Sequence, residues 1–266
     1  MTGSQFPTLS VSFLGCTKDP VEILYSARKI SQSCDDAMEI WQQIQGKSIT
    51  REEMINYISD RREYDRFPVF KQAQFVFLVN NISRISALAL KRHQVEKEKA
   101  ETPRQGKRLK NREQISLTPP SIQDNPELLK KWTKLQDEMV TLYNSCLELG
   151  INKHDAEYVM PQGLLCREQL SMSFQGMQQF LDVKLCEKTA WEIKEMSWQM
   201  YHLMKETFPS LADRLGIKCW ENRSLFCDEP LEFFKTCVWQ QKRPHKSHLN
   251  TLWNLDSFQA SEKSPA

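Results

Sequence analysis

A chain of 266 residues, 40% hydrophobic and 26% charged, is long enough to bury a sizeable core. Its formal charge of +2 supplies no overall pull toward nucleic acid, and no apolar run approaches the length of a membrane span. The opening residues, MTGSQFPTLSVSFLG, lack the basic start and long apolar stretch of a secretory signal, so the expected setting is cytoplasmic and reducing, with the eight cysteines as buried thiols.

Leu9 to Gly15 alternates and is rich in strand formers, which predicts a short strand. Asp19-Pro20 predicts a helix start, with Asp19 as cap, Pro20 in the first turn, and Val21, Leu24, Ala27 and Ile30 on one face. Asp35 to Gln45 continues helical and stops at Gly46. Thr50 followed by Glu53 has the form of a capping box, and Met54, Ile55 and Ile58 form the buried side of its helix. A charged connector (DRREYD, from Asp60) and Phe67–Phe70 lead into Ala73–Asn80. That stretch is apolar on both faces and reads as a strand buried on both sides. Asn80-Asn81 is a turn or cap signal. Ile82, Ile85, Leu88, Ala89 and Arg92 then lie along one helical face.

Lys91 to Arg112 holds nine Lys and Arg against three Glu and has no apolar periodicity, so it reads as a solvated basic loop. It has no interleaved aromatics for stacking, which weighs against nucleic acid as a partner. Ser116 to Pro126 reads as a proline-rich linker. Pro126 opens a long helix in which Leu128, Leu129, Trp132, Leu135, Met139, Leu142, Tyr143, Cys146 and Leu147 recur at three and four, and Gly150 ends it. Lys153 to Glu157 predicts one more helical turn, broken by Met160-Pro161. Leu164 to Leu181 is a helix or a mixed helix and strand. Glu187 to Glu206 is a helix with Trp191, Ile193, Met196, Met200, Leu203 and Met204 inward, closed by Phe208-Pro209.

Beyond Gly216, Cys219, Cys227 and Cys237 precede His245 and His248. Zinc ribbons use close Cys-x-x-Cys pairs, and none occurs, so the sequence assigns no metal site and reads these thiols as buried among Trp220, Phe226, Phe233 and Trp239. The expected organisation is a main domain over 1–215 that contains the basic loop and linker 91–126, a Cys/Trp extension over 216–255, and a disordered tail over 256–266.

Four passages, in order, resemble the flavin-dependent thymidylate synthases (the ThyX family). FVFLVNNISRISALALKRH is similar to the family's strand, its Gly-Ile-Ser-Arg turn and the helix that ends in Arg-His-Arg. LELGINKHDAEYVMP resembles the Asp-Ala-Arg passage, FQGMQQFLDVKL the Asn-x-Arg segment, and TAWEIKEM the Ala-Gln-Trp-Glu-Ile-Arg segment. The resemblance covers roughly residues 8 to 208. It implies a helix-rich α/β (α+β) fold with a small central sheet flanked by long helices, and a homotetramer with sites shared between chains. It also implies FAD, NADPH, dUMP and methylenetetrahydrofolate as ligands. Carried over by position, Arg92, His93 and Gln94 would contact FAD, Arg92, Thr102 and Arg104 the nucleotide, and Lys184 would stand in for a catalytic Arg that favours ionised uracil.

The departures from the family pattern are many. Lys71-Gln72 replace Glu-His, Ala89 a Gln, Ala100 an acid, Gln94 the third signature Arg and Thr102 the Ser. Ser173 and Gln175 replace the Asn and Arg of the flavin site, Lys184 an Arg and Lys188 a His. Glu157 replaces an Arg that binds the substrate phosphate, so a carboxylate faces the expected anion. The residues therefore imply a diverged member whose standard conversion of dUMP to dTMP is lost or altered, acting as a scaffold or as a partner of an active paralogue. The other readings are an active FAD-dependent thymidylate synthase with a rebuilt pocket, and an interaction or nucleic-acid-binding module.

Overall fold

The computed structural model describes residues 8–59, 68–90, 97–100 (backbone), 115–220, 226–240 and 243–247. The chain divides into two compact units, Met1–Met177 and Gln178–Ala266.

The first unit is organised by a four-stranded antiparallel sheet. Strands β1 (Ser10–Cys16), β2 (Gln74–Ser83), β3 (Lys97–Ala100) and β4 (Leu165–Ser173) take the order β1-β2-β4-β3. The expected helix-rich fold with a small central sheet is therefore present. Phe75 pairs with Met172, and Phe77 with both Leu170 and Phe13. Phe75, Phe77, Val79, Leu170 and Met172 are all fully buried. Gln74, Val76 and Leu78 on the other face are only half-buried, so β2 alternates and is not buried equally on both sides. Asn80-Asn81 is not a turn. The strand continues to Ser83 through a bulge, where Asn81 takes φ 58 and donates to the Thr8 carbonyl at 2.8 Å. Part of the basic stretch is also more than a loop, because its backbone at 97–100 adds the edge strand to β4.

Helices α1 (Pro20–Gln32), α2 (Ala37–Gln45) and α3 (Arg51–Ser59) follow β1. Asp19 does not cap α1 with its side chain; it sits in the left-handed region (φ 51). The buried face is Val21, Leu24, Tyr25 and Arg28, and Ile30 is exposed. Arg28 goes inward because it has work there: Nη1 donates to the Tyr57 and Ile58 carbonyls at 2.6 and 2.9 Å, satisfying the carboxyl end of α3. Asp36, not the preceding residues, starts α2 by accepting from Met38 and Glu39. The capping box of α3 is present in both directions, with Glu53 N–H to Thr50 Oγ1 at 3.2 Å and Thr50 N–H to Glu53 Oε2 at 2.7 Å.

Helix α4 (Arg84–Leu90) buries Ser86, Ala87 and Leu90, leaving Ile85 and Leu88 exposed, so its inward face is rotated from the expected one. The stretch 115–118 is not a loose linker. Ile115, Ser116, Leu117 and Thr118 are buried, and the Ser116 hydroxyl donates to Gln136 at 3.0 Å. After α5 (Pro120–Gln123), α6 (Pro126–Glu148) buries only Gln136, Val140 and Tyr143. It ends in a Schellman motif: Ile151 N–H reaches the Cys146 carbonyl, Gly150 N–H reaches that of Leu147, and Gly150 takes φ 74. Helix α7 (Lys153–Ala156) and a 3₁₀ turn (Glu157–Val159) complete the approach to β4.

Helix α8 (Phe174–Lys184) continues directly from β4, so the passage read as helix or mixed helix and strand is the mixed one. In the second unit, α9 (Trp191–Thr207) starts at Trp191, because residues 186–189 form a turn closed by Thr189 N–H to the Cys186 carbonyl. Ile193, Met196, Met200 and Met204 are buried as expected, while Trp191 is partly exposed. Helices α10 (Pro209–Ala212) and α11 (Leu231–Thr236) follow. Among the described residues, no helix is long and apolar enough to cross a membrane.

Candidate functional site

The two strand-to-helix junctions are built alike. At β2–α4, Ser86 N–H donates to Ser83 Oγ at 3.3 Å; at β4–α8, Gly176 N–H donates to Ser173 Oγ at 3.1 Å. Both serines are buried, and each satisfies an amide at the start of its helix. The strands are antiparallel, with Gln74 opposite Ser173 and Ser83 opposite Leu165, so the junctions lie at opposite ends of the pair. Nine residues of β4 at about 3.3 Å each place those ends roughly 26 Å apart.

At the first end, Arg84 N–H donates to the Leu164 carbonyl and Ile85 N–H to that of Gln162, which ties the start of α4 to the segment after Met160-Pro161. Two of the passages that carry the resemblance are thereby brought together. Glu157 belongs to this end. Asn152 caps α7, accepting from His154 N–H at 3.0 Å, and Glu157 follows at the helix's carboxyl end. Its Oε1 is buried and has no hydrogen-bond partner. Its charge reaches Tyr143 of α6: burial first, and then Glu157, push the Tyr143 hydroxyl above its usual range.

At the second end stand Ser173 and Gln175. Ser173 Oγ accepts from Gly176 N–H, and Gln175 holds a buried Oε1 with no partner. Lys184 lies half-buried in the last turn of α8. Arg92, His93, Gln94, Thr102 and Arg104 lie outside the described residues, so no geometry is assigned to them. Lys188 is joined to Glu229 at 2.6 Å.

These described positions do not fit a flavin or its pyrophosphate in the way the resemblance implies. Ser173 and Gln175 bring no positive charge where the resemblance implies an Asn and an Arg for the flavin, and at the position implied for the substrate phosphate Glu157 adds a carboxylate with an unsatisfied oxygen. The sequence names Glu157, Ser173 and Gln175 as replacements. The buried, orphaned oxygens of Glu157 and Gln175 depend on tertiary packing, and no residue pattern signals them.

Residues 13–210 match the family model described as thymidylate synthase complementing protein. Among curated relatives, the flavin-dependent thymidylate synthase of Pyrococcus furiosus is 26% identical over 199 residues, covering 73% of this chain and 78% of that protein. The flavin-dependent thymidylate synthase of Saccharolobus solfataricus is 26% identical over 244 residues, covering 86% and 91%. Among solved structures, a UMP/dUMP methylase, PolB, from Streptomyces cacaoi bound with 5-Br dUMP superimposes with a TM-score of 0.58 at 16% identity, over 77% of this chain and 93% of that one. The last likeness is one of fold.

Proposed function

The chain belongs to the thymidylate synthase complementing protein family, and from that premise we propose that it is a diverged member in which reductive methylation of dUMP is lost or altered. Its scaffold then serves as a subunit, for copies of itself or for an active paralogue. The observation that carries this reading is Glu157, an acid with a buried, unpartnered oxygen at the position where the resemblance implies a phosphate-binding arginine. At close range and intermediate dielectric a like-charge pair costs on the order of 4 kcal/mol. Exposure of the phosphate reduces that figure without reversing its sign.

Sharing of sites between chains is what the resemblance implies, and it is the basis on which an inactive chain could serve as a subunit. A second reading, an active FAD-dependent thymidylate synthase with a rebuilt pocket, is favoured by Lys184, which keeps a cation where the resemblance implies a catalytic Arg. One experiment separates the two: absorbance of the purified chain with and without added FAD, followed by assay of dUMP methylation with methylenetetrahydrofolate and NADPH. The first reading expects a colourless protein with no dTMP formed. A yellow protein that makes dTMP overturns it and establishes the second.

A further inference from the structure

We propose that the exposed leucine row of α6 pairs with the same row of a second copy of this chain, antiparallel and centred on Leu135. The inference rests only on the reading of the chain as a subunit, and it commits that reading to one partner and one surface. Helix α6 has two apolar faces. On the first, Gln136, Val140 and Tyr143 are buried, and Val140 packs with Ile115 and Leu164. On the second, Leu128, Leu135 and Leu142 stand 47%, 50% and 53% exposed, and Leu149 at the helix end 81%. At about 3.6 residues per turn, seven residues fall about 20° short of two turns, so these leucines stand nearly in line. The row lies about 100° round the helix from Gln136, and from Leu128 to Leu142 it runs about 21 Å. An aligned apolar seam of that length on a rigid helix marks a contact surface, where single exposed leucines would not.

The two flanks of the row differ. Trp132 and Met139 lie between the row and the buried face and are half-buried. Lys131 and Glu138 edge the row on its other side, and both are exposed. A face repeated on two copies complements itself about a two-fold axis. With that axis at Leu135, Leu135 meets Leu135, and Leu128 meets Leu142 of the second copy on either side of it. Lys131 stands four residues before the axis and Glu138 three after it. In antiparallel helices the two come level to within about 1.5 Å, on the same flank, and the pair forms twice. By the same arithmetic Trp132 comes level with Met139 of the second copy on the inner flank, a favourable meeting of ring and thioether. Glu138 already takes Lys134 of its own helix at 3.6 Å, and a carboxylate accepts from both lysines.

The charges select this arrangement over its neighbours. Moving the axis to midway between Leu135 and Leu142 sets Glu138 against Glu138, and like charges face to face are unfavourable. A parallel pair turns the Lys131 flank of one copy toward the Trp132 flank of the other, so each charge loses its opposite. Of the three, the antiparallel pair centred on Leu135 alone joins leucine to leucine and lysine to glutamate, with an apolar centre and a charged rim.

The test uses the full chain. Light scattering of the unsubstituted protein is expected to give at least a dimer. Leu135→Cys is expected to oxidise to a covalent dimer on a non-reducing gel, against the baseline of the unsubstituted chain with its own eight cysteines. Leu128→Cys and Leu142→Cys are each expected to stay at that baseline alone and to cross-link when mixed. Lys131→Glu and Glu138→Lys each turn two attractions into two repulsions, so each is expected to raise the dissociation constant about tenfold, and the double variant to restore it. These two positions are exposed, so the rescue does not depend on repacking a core. An oligomer that does not cross-link through position 135, or whose strength ignores 131 and 138, overturns the α6 pairing and leaves the subunit reading standing. A chain that stays monomeric at every concentration overturns the pairing together with self-association. Cross-linking at 135 in a yellow protein that makes dTMP supports the pairing and overturns only the loss of activity.

Discussion

Glu157 is the residue whose environment departs furthest from what an anion-binding site requires. Its unpartnered oxygen and its reach to Tyr143 make two outcomes predictable. Glu157→Arg removes a repulsion and adds a bidentate donor, so dUMP affinity measured by calorimetry is expected to rise by at least about tenfold, roughly 1.4 kcal/mol. No gain would mean that the phosphate does not lie beside position 157. Glu157→Gln removes the smaller of the two causes that raise Tyr143. Its tyrosinate titration, assigned with Tyr143→Phe, is expected to fall partway and stay above 10.0 because burial remains the larger cause. At this scale the sequence is legible where a residue's chemistry is intrinsic, as with the charge reversal at 157 or the lost arginine at 175. It is opaque where burial decides.

Among the elements, caps and strand alternation were readable, and helix faces were less so. The Thr50–Glu53 box holds because both partners are local. The Thr50 amide, and then its hydroxyl, keep the Glu53 carboxyl below its usual 4.5. A depressed carboxylate contributes stability that is fully present above the unfolded value and lost as pH falls through the folded one. The difference in melting temperature between wild type and Thr50→Ala is therefore expected to narrow as pH is lowered below 4.5. Asn125, which accepts from Leu128 N–H at 3.1 Å, caps α6, and Asn125→Ala is expected to cost about 1 kcal/mol in urea unfolding. Phe77 is fully buried between β1 and β4 residues, and Phe77→Ala is expected to cost about 3–5 kcal/mol. Helix α4 turns a different face inward from the expected one, and α1 keeps Val21 and Leu24 inward but exposes Ile30, for one physical reason. Each is short and carries two possible stripes, and long-range bonds, from Arg28 to α3 and from Arg84 and Ile85 to the 162–164 segment, choose between them.

For the whole molecule, α6 poses the same ambiguity on a larger scale. Its apolar residues are numerous enough for two stripes. The fold covers Gln136, Val140 and Tyr143, and leaves Leu128, Leu135, Leu142 and Leu149 exposed at intervals of seven. A seven-residue leucine row is the pattern by which helices of separate chains meet. It supports the subunit reading, and it is a surface where that reading can fail. Leu135→Lys combined with Leu142→Lys is expected to reduce the particle mass in light scattering while sparing the monomer's own core; an unchanged mass would place any chain-to-chain contact elsewhere. The aromatic cluster of the second unit has a consequence of another kind. Trp220 stands 6.0 Å from Trp198, 5.8 Å from Trp239 and 5.7 Å from Tyr201. Transition dipoles that close share their excitation, so these rings absorb and emit as one chromophore, with a paired circular-dichroism signal in the ultraviolet. Trp41 and Trp132, in the first unit, are outside that set. The second unit thus carries its own optical label, and its melting can be followed by light alone, separately from that of the sheet.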